Sequence, residues 1–266
     1  MSRAARRPGA RRTTDSRAME NRMNAKSSHW RFGIALLALS LVLCGCGTFQ
    51  IARRGDAKSE SHSVDAGAAT SASVLLEMQA GEMSVTDGAQ QLMQADFDYD
   101  IVGWEPQIDY QVNGSQGQLA VTQPGSVDNV PVGSTVNNRW DIQLNGDMPL
   151  DLVVRTGAGE GILDLSGLDL SKLQVETGAG NTNLDLSGSW GHDLHATVSA
   201  GVGNLSVTLP ADMGVRVTAA AGLGGVTATG LTNSGGAYVN EAYGSAAHTL
   251  TLDIQSGVGA IELTVP

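Results

Sequence analysis

From residue 150 to the C-terminus, apolar side chains alternate with polar ones on both sides of a recurring Gly-x-Gly. The repeats are Gly157-Ala158-Gly159, Gly178-Ala179-Gly180, Gly201-Val202-Gly203, Gly222-Leu223-Gly224 and Gly257-Val258-Gly259, spaced by 21, 23, 21 and 35 residues. Five and three positions before each first glycine stand Leu152/Val154, Leu173/Val175, Ala196/Val198, Val217/Ala219 and Leu252/Ile254. Six and eight positions after it stand Leu163/Leu165, Leu184/Leu186, Val207/Leu209 and Leu263/Val265, weakening in the fourth copy to Ala228/Gly230. Alternation on either side of a glycine corner predicts strand, turn, strand. Such a unit buries too few side chains to offset its ordering entropy alone, at ~1.5–3 kcal/mol per buried Val or Leu against ~1–2 kcal/mol per residue fixed. Copies must therefore stack and share a core, which predicts an all-β, β-solenoid-like stack of Gly-x-Gly coils.

A degenerate sixth copy lies earlier, in Val74, Leu76, Gln79-Ala80-Gly81 and Val85, with Gln79 in the place of the first glycine. Residues 88–148 differ in character and hold Phe97, Tyr99, Trp104, Tyr110 and Trp140. Alternation in Ile108–Val112 and Gln118–Val121 predicts an antiparallel hairpin turning at Asn113-Gly114. This segment reads as an N-terminal antiparallel β cap over the first coil, since an uncovered edge invites pairing with other chains. The long gap before the last copy reads as a loop around Thr232–Ser245 carrying Tyr238 and Tyr243, which either stand exposed as contacts or pack over the coil end.

The first 45 residues are of another kind. Positions 33–43 are an uncharged apolar run of eleven residues preceded by Lys26, His29 and Arg31. A membrane-spanning helix needs about 20 apolar residues, so this run matches a secretory signal instead. Leu43-Cys44-Gly45-Cys46 follows and resembles the bacterial lipobox, with cleavage before Cys46 and lipidation of its sulfur. Met19 or Met23 as the start would give a signal of ordinary length. Gly47 in place of Asp points to the outer membrane in a cell that has one. Gly47–Lys58 lacks a repeating pattern and reads as a tether, with Arg53-Arg54 beside the headgroups. The expected organisation is a signal peptide at 1–45, a tether at 46–58, an N-terminal domain at 59–150 and a repeat domain at 151–266.

Charge follows the same division. Nine of the 16 basic residues but only two of the 27 acidic ones lie in 1–45, leaving seven basic against 25 acidic from residue 46 onward. A body of charge −18 repels phosphate backbones, which excludes nucleic acid as a partner. With Cys44 removed and Cys46 lipidated, no thiol remains for redox or metal chemistry.

Five stretches carry a family resemblance: Gln79-Ala80-Gly81-Glu82-Met83-Ser84-Val85, Ala95-Asp96-Phe97-Asp98-Tyr99, Trp104-Glu105-Pro106, Asn138-Arg139-Trp140-Asp141-Ile142 and Pro149-Leu150-Asp151-Leu152. Together with the glycine array they make residues of about 60–266 similar to the bacterial toast-rack envelope proteins. That family shares domains with cell-wall-antibiotic-response membrane proteins and adhesin domains. The resemblance implies an envelope location, a β-stack and a role in stress sensing or surface interaction, and it supplies no catalytic residues.

Candidate chemistry is sparse. Gly157-Ala158-Gly159-Glu160-Gly161-Ile162 has Ile where a phosphate-cradling loop needs its third glycine, and no nine-residue calcium repeat occurs. No cofactor is expected. Asp164 and Asp185 share one place in adjacent coils and predict an outward column continued by Thr208 and Thr227, a solvated face more readily than a cation site or the carboxylate pair of a glycosidase. His192 and His195 form the one close histidine pair, too few for a metal site, and no metal is expected. The favoured reading is a non-enzymatic, membrane-anchored envelope lipoprotein that binds an envelope protein or cell-wall polymer, with Tyr238 and Tyr243 as candidate contacts and Cys46 as the lipid site. The alternatives are a carbohydrate-active enzyme on a β-helix scaffold and a structural spacer.

Overall fold

The structure is a computed structural model and describes residues 54–125 and 137–266. The signal peptide, Cys46 and residues 46–53 of the expected tether lie outside the described residues. Every regular element among those described is a strand. The first six are β1 (Arg54–Val64), β2 (Ser71–Asp87), β3 (Met93–Ile101), β4 (Gln107–Asn113), β5 (Gln116–Thr122) and β6 (Asn138–Leu144). The repeats then supply β7 (Leu150–Asp164), β8 (Leu170–Ala179), β9 (Thr182–Asp185), β10 (Leu194–Val202), β11 (Leu205–Thr208), β12 (Gly214–Leu223) and β13 (Val226–Thr229). The chain ends with β14 (Thr232–Ser234), β15 (Ala237–Val239), β16 (Thr249–Val258) and β17 (Ile261–Thr264).

Each Gly-x-Gly copy is one rung, with a strand before the corner and a strand after it, and rungs pair in parallel. The degenerate copy is a true rung: β2 lies in register on β7 from Ala72↔Leu150 to Val85↔Leu163. β7 continues onto β8 and β9, and these onto β10 and β11. Like residues superpose, so Leu152, Leu173, Ala196 and Leu252 lie side by side, as do Val154, Val175, Val198 and Ile254. One buried core runs from Ala72 in β2 to Leu263 in β17. The expected boundary at 150/151 falls where β7 joins that shared core, and the structure shows no break there.

Spatial order departs from chain order at the end. β16 pairs with β10 on one side and β12 on the other, and β17 likewise lies between β11 and β13. The last copy is thus inserted beneath the fourth. Composition explains why. The last copy brings Leu252, Ile254, Leu263 and Val265 and can fill a core from within, whereas at the same places the fourth has Val217 and Ala219 before the corner and only Ala228 and Gly230 beyond it. The weakest copy ends the stack. The expected loop before the last copy is corrected by this arrangement. Its residues form β14 and β15, and β15 pairs antiparallel with β12 at Arg216↔Val239 and Val217↔Tyr238.

The other end is capped by β3 and β6, which pair antiparallel beside β2, and by the β4–β5 hairpin, whose β5 lies parallel on β2. Phe97, Tyr99, Trp104 and Trp140 are buried there, with Phe97 and Trp140 edge to face at 5.3 Å between ring centres. β1 forms the outermost strand, antiparallel to β3. The tether is corrected too, because Arg54–Lys58 belong to β1. Arg54 is drawn to the buried Asp100 carboxylate at 2.7 Å, so it is engaged within the protein and not free for lipid headgroups.

Corners can stack only because side chains are missing from them. A methyl group at Gly178 would lie 2.2 Å from the Gly157 carbonyl oxygen. One at Gly180, whose φ is +134°, would lie 1.6 Å from that of Gly159. Both are far inside contact distance, and a positive φ of this kind is glycine territory. Gly180→Ala is expected to lose at least about 3 kcal/mol of unfolding free energy in urea titration, from backbone strain and clash together. Gly191→Ala, with nothing within 4 Å of the added methyl, should change it by no more than about 0.5 kcal/mol.

Candidate functional site

The corners leave a groove along the stack, with a volume of about 690 Å3, lined by residues of β2, β7, β8, β10 and β16. It exists because the glycine columns put no side chain where the two strands of each rung meet. At one end Arg155 of β7 bridges its neighbours above and below, with Nε 3.0 Å from Glu176 Oε2 and Nη1 3.7 Å from Glu77 Oε2. These three groups are half exposed, so the ladder adds little stability and fixes local charge. Toward the other end the lining is neutral, with Ser199, Ala200, Gln255 and Ser256. Thr156 and Ser256 are buried, and Ser256 Oγ has no hydrogen-bond partner among the described residues. Its register neighbours are Ala200 and Ala221, which offer no polar side-chain atom. No aromatic ring lines the groove. Its chemistry is that of hydroxyls, amides and one guanidinium already held by carboxylates. Such a surface makes hydrogen bonds to an extended polar chain and offers no stacking platform.

A polar clasp closes the groove's β2 end. Gln123 Oε1 accepts from the backbone N–H of Gln79 at 2.9 Å, from that of Ala80 at 3.3 Å and from Asn138 Nδ2 at 3.0 Å. Asn138 Nδ2 also donates to the Ala80 carbonyl, and Asn138 Oδ1 accepts from Trp140 Nε1 at 3.1 Å. Gln123 and Asn138 are buried. They satisfy the corner of β2 where the next corner would stand, which is why Gln79 is accommodated in the place of glycine. Asn138 takes over the second glycine column, since a methyl group at Gly81 would lie 2.1 Å from its carbonyl oxygen. On the far side of this cap the buried Tyr99 hydroxyl donates to Glu60 Oε1 at 2.7 Å. Burial first, then Glu60, pushes the Tyr99 phenol up to about 12, while the bond from Tyr99 holds the Glu60 carboxyl below its usual range.

The residues singled out in the sequence are not brought together. Tyr238 lies in β15 against the core and is partly buried, which matches packing over the coil end and not an exposed contact. Tyr243 is exposed on the following turn. Asp164 and Asp185 do pair in register, continued by Thr208, Thr264 and Thr229; Thr229, not Thr227, occupies the column. Asp164 accepts from the Ser166 hydroxyl at 2.7 Å, and Asp185 from the Ser187 N–H at 2.8 Å. Both carboxylates therefore serve their own turns. His192 Nε2 lies 2.9 Å from the Leu170 carbonyl oxygen, and His195 is exposed in β10. Among the described residues no group of three His, Cys, Asp or Glu is placed to hold a metal ion.

The family model for the N-terminal domain of toast_rack matches residues 53–208. The chain belongs to the toast-rack family. A second model, the C-terminal region of the cell wall-active antibiotics response protein LiaF, matches residues 159–263 of this toast-rack chain. The crystal structure of a putative cell adhesion protein from Clostridium sporogenes is 31% identical, covering 79% of this chain and all of that one, with a TM-score of 0.77. A putative adhesin from Bacteroides fragilis is 14% identical over 79% of this chain and 97% of that one, with a TM-score of 0.27. No curated protein matches the chain.

In this toast-rack protein the clasp residues Gln123 and Asn138 and the end-cover residue Asn240 escaped sequence reasoning. Asn240 is buried, donates to the Met213 carbonyl at 2.7 Å and accepts from the Val215 N–H at 2.9 Å, which fastens the end of β15 to β12. The Asn-Arg-Trp-Asp stretch signalled Asn138 as a family residue without its role. Nothing local distinguishes Gln123 or Asn240 from any loop amide.

Two outcomes are expected. Ser256→Ala, which removes a buried hydroxyl without a partner, should leave stability unchanged or raise it by up to about 1 kcal/mol in chemical denaturation. Because the folded Tyr99 phenol is held above its unfolded value, stability should be complete below pH 10 and fall as pH rises toward 12. Tyr99→Phe should flatten that alkaline slope, read from denaturation midpoints between pH 9 and 12.

Proposed function

We propose that this protein is a non-enzymatic, lipid-anchored component of the bacterial envelope that holds a rigid β-stack at the membrane for surface interaction or envelope-stress sensing. The observation that carries the reading is the lipobox-like Leu43-Cys44-Gly45-Cys46, eight residues ahead of the first strand at Arg54, in a chain of the toast-rack family. Acyl chains on Cys46 supply about 0.8 kcal/mol per buried methylene, and two or more hold a protein stably on a bilayer. Gly47 favours the outer membrane where one exists. The descriptions of the related proteins, antibiotic response at the cell wall and cell adhesion, support the same setting.

The groove supports binding over catalysis. Its one cation is shared between two glutamates, and the carboxylates at Asp164 and Asp185 are committed to their own turns. The partner is an envelope protein or a cell-wall polymer presented as an extended polar chain, with Tyr243 as an additional exposed contact.

Cys46→Ser is expected to abolish incorporation of labelled fatty acid and to move the protein from the membrane to the soluble fraction. Unchanged membrane retention would rule out lipid anchoring. Purified protein should retain cell-wall polymer or an envelope protein in pull-down, and Arg155→Ala together with Gln255→Ala should reduce that recovery about tenfold. Turnover of cell-wall glycans by the wild type would overturn the non-enzymatic reading.

A further inference from the structure

The two ends of the stack are finished differently. At the β1 end the outermost strand reads Arg-Gly-Asp-Ala-Lys-Ser-Glu-Ser-His-Ser-Val, with charges spread along an exposed edge. This is how β proteins ordinarily discourage edge-to-edge pairing. At the opposite end, among the described residues, β13 pairs only with β17, and β15 covers β12 only at Arg216 and Val217. Beyond that cover, Thr218–Leu223 and all of β13 form an edge that no described strand pairs. No Asp, Glu, Lys, Arg or His occurs between Arg216 and Glu241. In a body of charge −18 the unprotected edge is the uncharged one.

This end also exposes the cross-section of the core. Ala219, Ala221, Val226, Ala228 and Leu231 pack on the rung beneath and are only partly buried. Beside them the middle residues of three successive corners, Val202, Val258 and Leu223, make an apolar ridge with exposures of 56%, 42% and 70%, greatest at the edge. Small side chains, free backbone groups and an apolar ridge without charge are what a further rung would need beneath it.

We propose that the occupant is a second copy of this chain, docked terminal rung to terminal rung about a two-fold axis with β13 antiparallel to its counterpart. Charge selects this partner and this orientation. Head-to-tail stacking would set the neutral edge against the charged β1 edge. Tail-to-tail docking sets neutral against neutral and closes at two copies, which avoids a fibre. Glu262, adjacent to Thr227 in register, would be three strand spacings from its counterpart, roughly 14 Å and beyond the ~8 Å screening length at physiological salt. The entry of each chain at Arg54 stays at the far end, eight strand spacings or roughly 38 Å from the interface. The inference does not depend on lipid anchoring.

The test uses the full chain purified in detergent, with protein mass taken from light scattering corrected for bound detergent. The wild type should have twice the chain mass at tens of micromolar. Thr227→Lys and, separately, Leu223→Asp should weaken association at least tenfold while circular dichroism and melting stay unchanged, since both side chains are exposed. A Thr227→Cys variant treated with a short bis-maleimide should give a cross-link mapped between two copies of position 227, and Ser59→Cys at the β1 end should give none. A single-chain mass throughout, a dimer that both substitutions leave intact, or cross-linking only to a different protein would each overturn the proposal.

Discussion

Close approach of backbone to backbone at the corner is the constraint on which this structure depends. Parallel strands lie about 4.8 Å apart, and the chain must bend at the same place in every rung. Two columns of glycine make that possible, because any Cβ on them would enter the carbonyl of the rung before. With corners superposed, Leu152 and Val154 find their equivalents in the next rung, and the core forms as aligned rows of like residues. The groove results from the same omission: it is the space that corner side chains would have filled.

A stack built this way is uniform along its length and special only at its ends. At the first end the missing corner is replaced by two amides. Gln123 Oε1 and the Asn138 amide supply the hydrogen bonds that another rung's backbone would have made, pairing with Gln79, Ala80 and Trp140, while Gln123 Nε2 is left buried without a partner among the described residues. Phe97, Tyr99, Trp104 and Trp140 are buried at this end. At the second end Asn240 holds a short antiparallel cover over only part of the last rung. One end is sealed by polar pairing and charge, the other left neutral and partly open.

Family membership and fold agree in describing a platform. The chain aligns with the whole of the Clostridium sporogenes cell adhesion relative, so the stack with its caps is the shared unit. In such a unit a change of side chain at an outward position or on the terminal rung outside the corner leaves the glycine columns undisturbed. Binding surfaces can differ between members while the frame stays the same.

Strands, corners, stacking and even the degenerate rung at Gln79 were legible in the sequence, because each is a local pattern of apolar alternation and glycine spacing. The β4–β5 hairpin was legible for the same reason, although its turn is Gly114-Ser115, one residue beyond the expected Asn113-Gly114. Sequence alone assigned Tyr238 to a loop, the last copy to the end of the array and Arg54 to a tether, and the structure places all three otherwise. Those positions follow from which surfaces are left to cover once the rungs have met. The weak fourth copy is shielded at one face by the last, β15 covers only the start of β12, and β1 covers β3. Local pattern decides what a rung is; only the assembled core, by leaving particular edges and amides unsatisfied, decides the order in which rungs lie and what closes them.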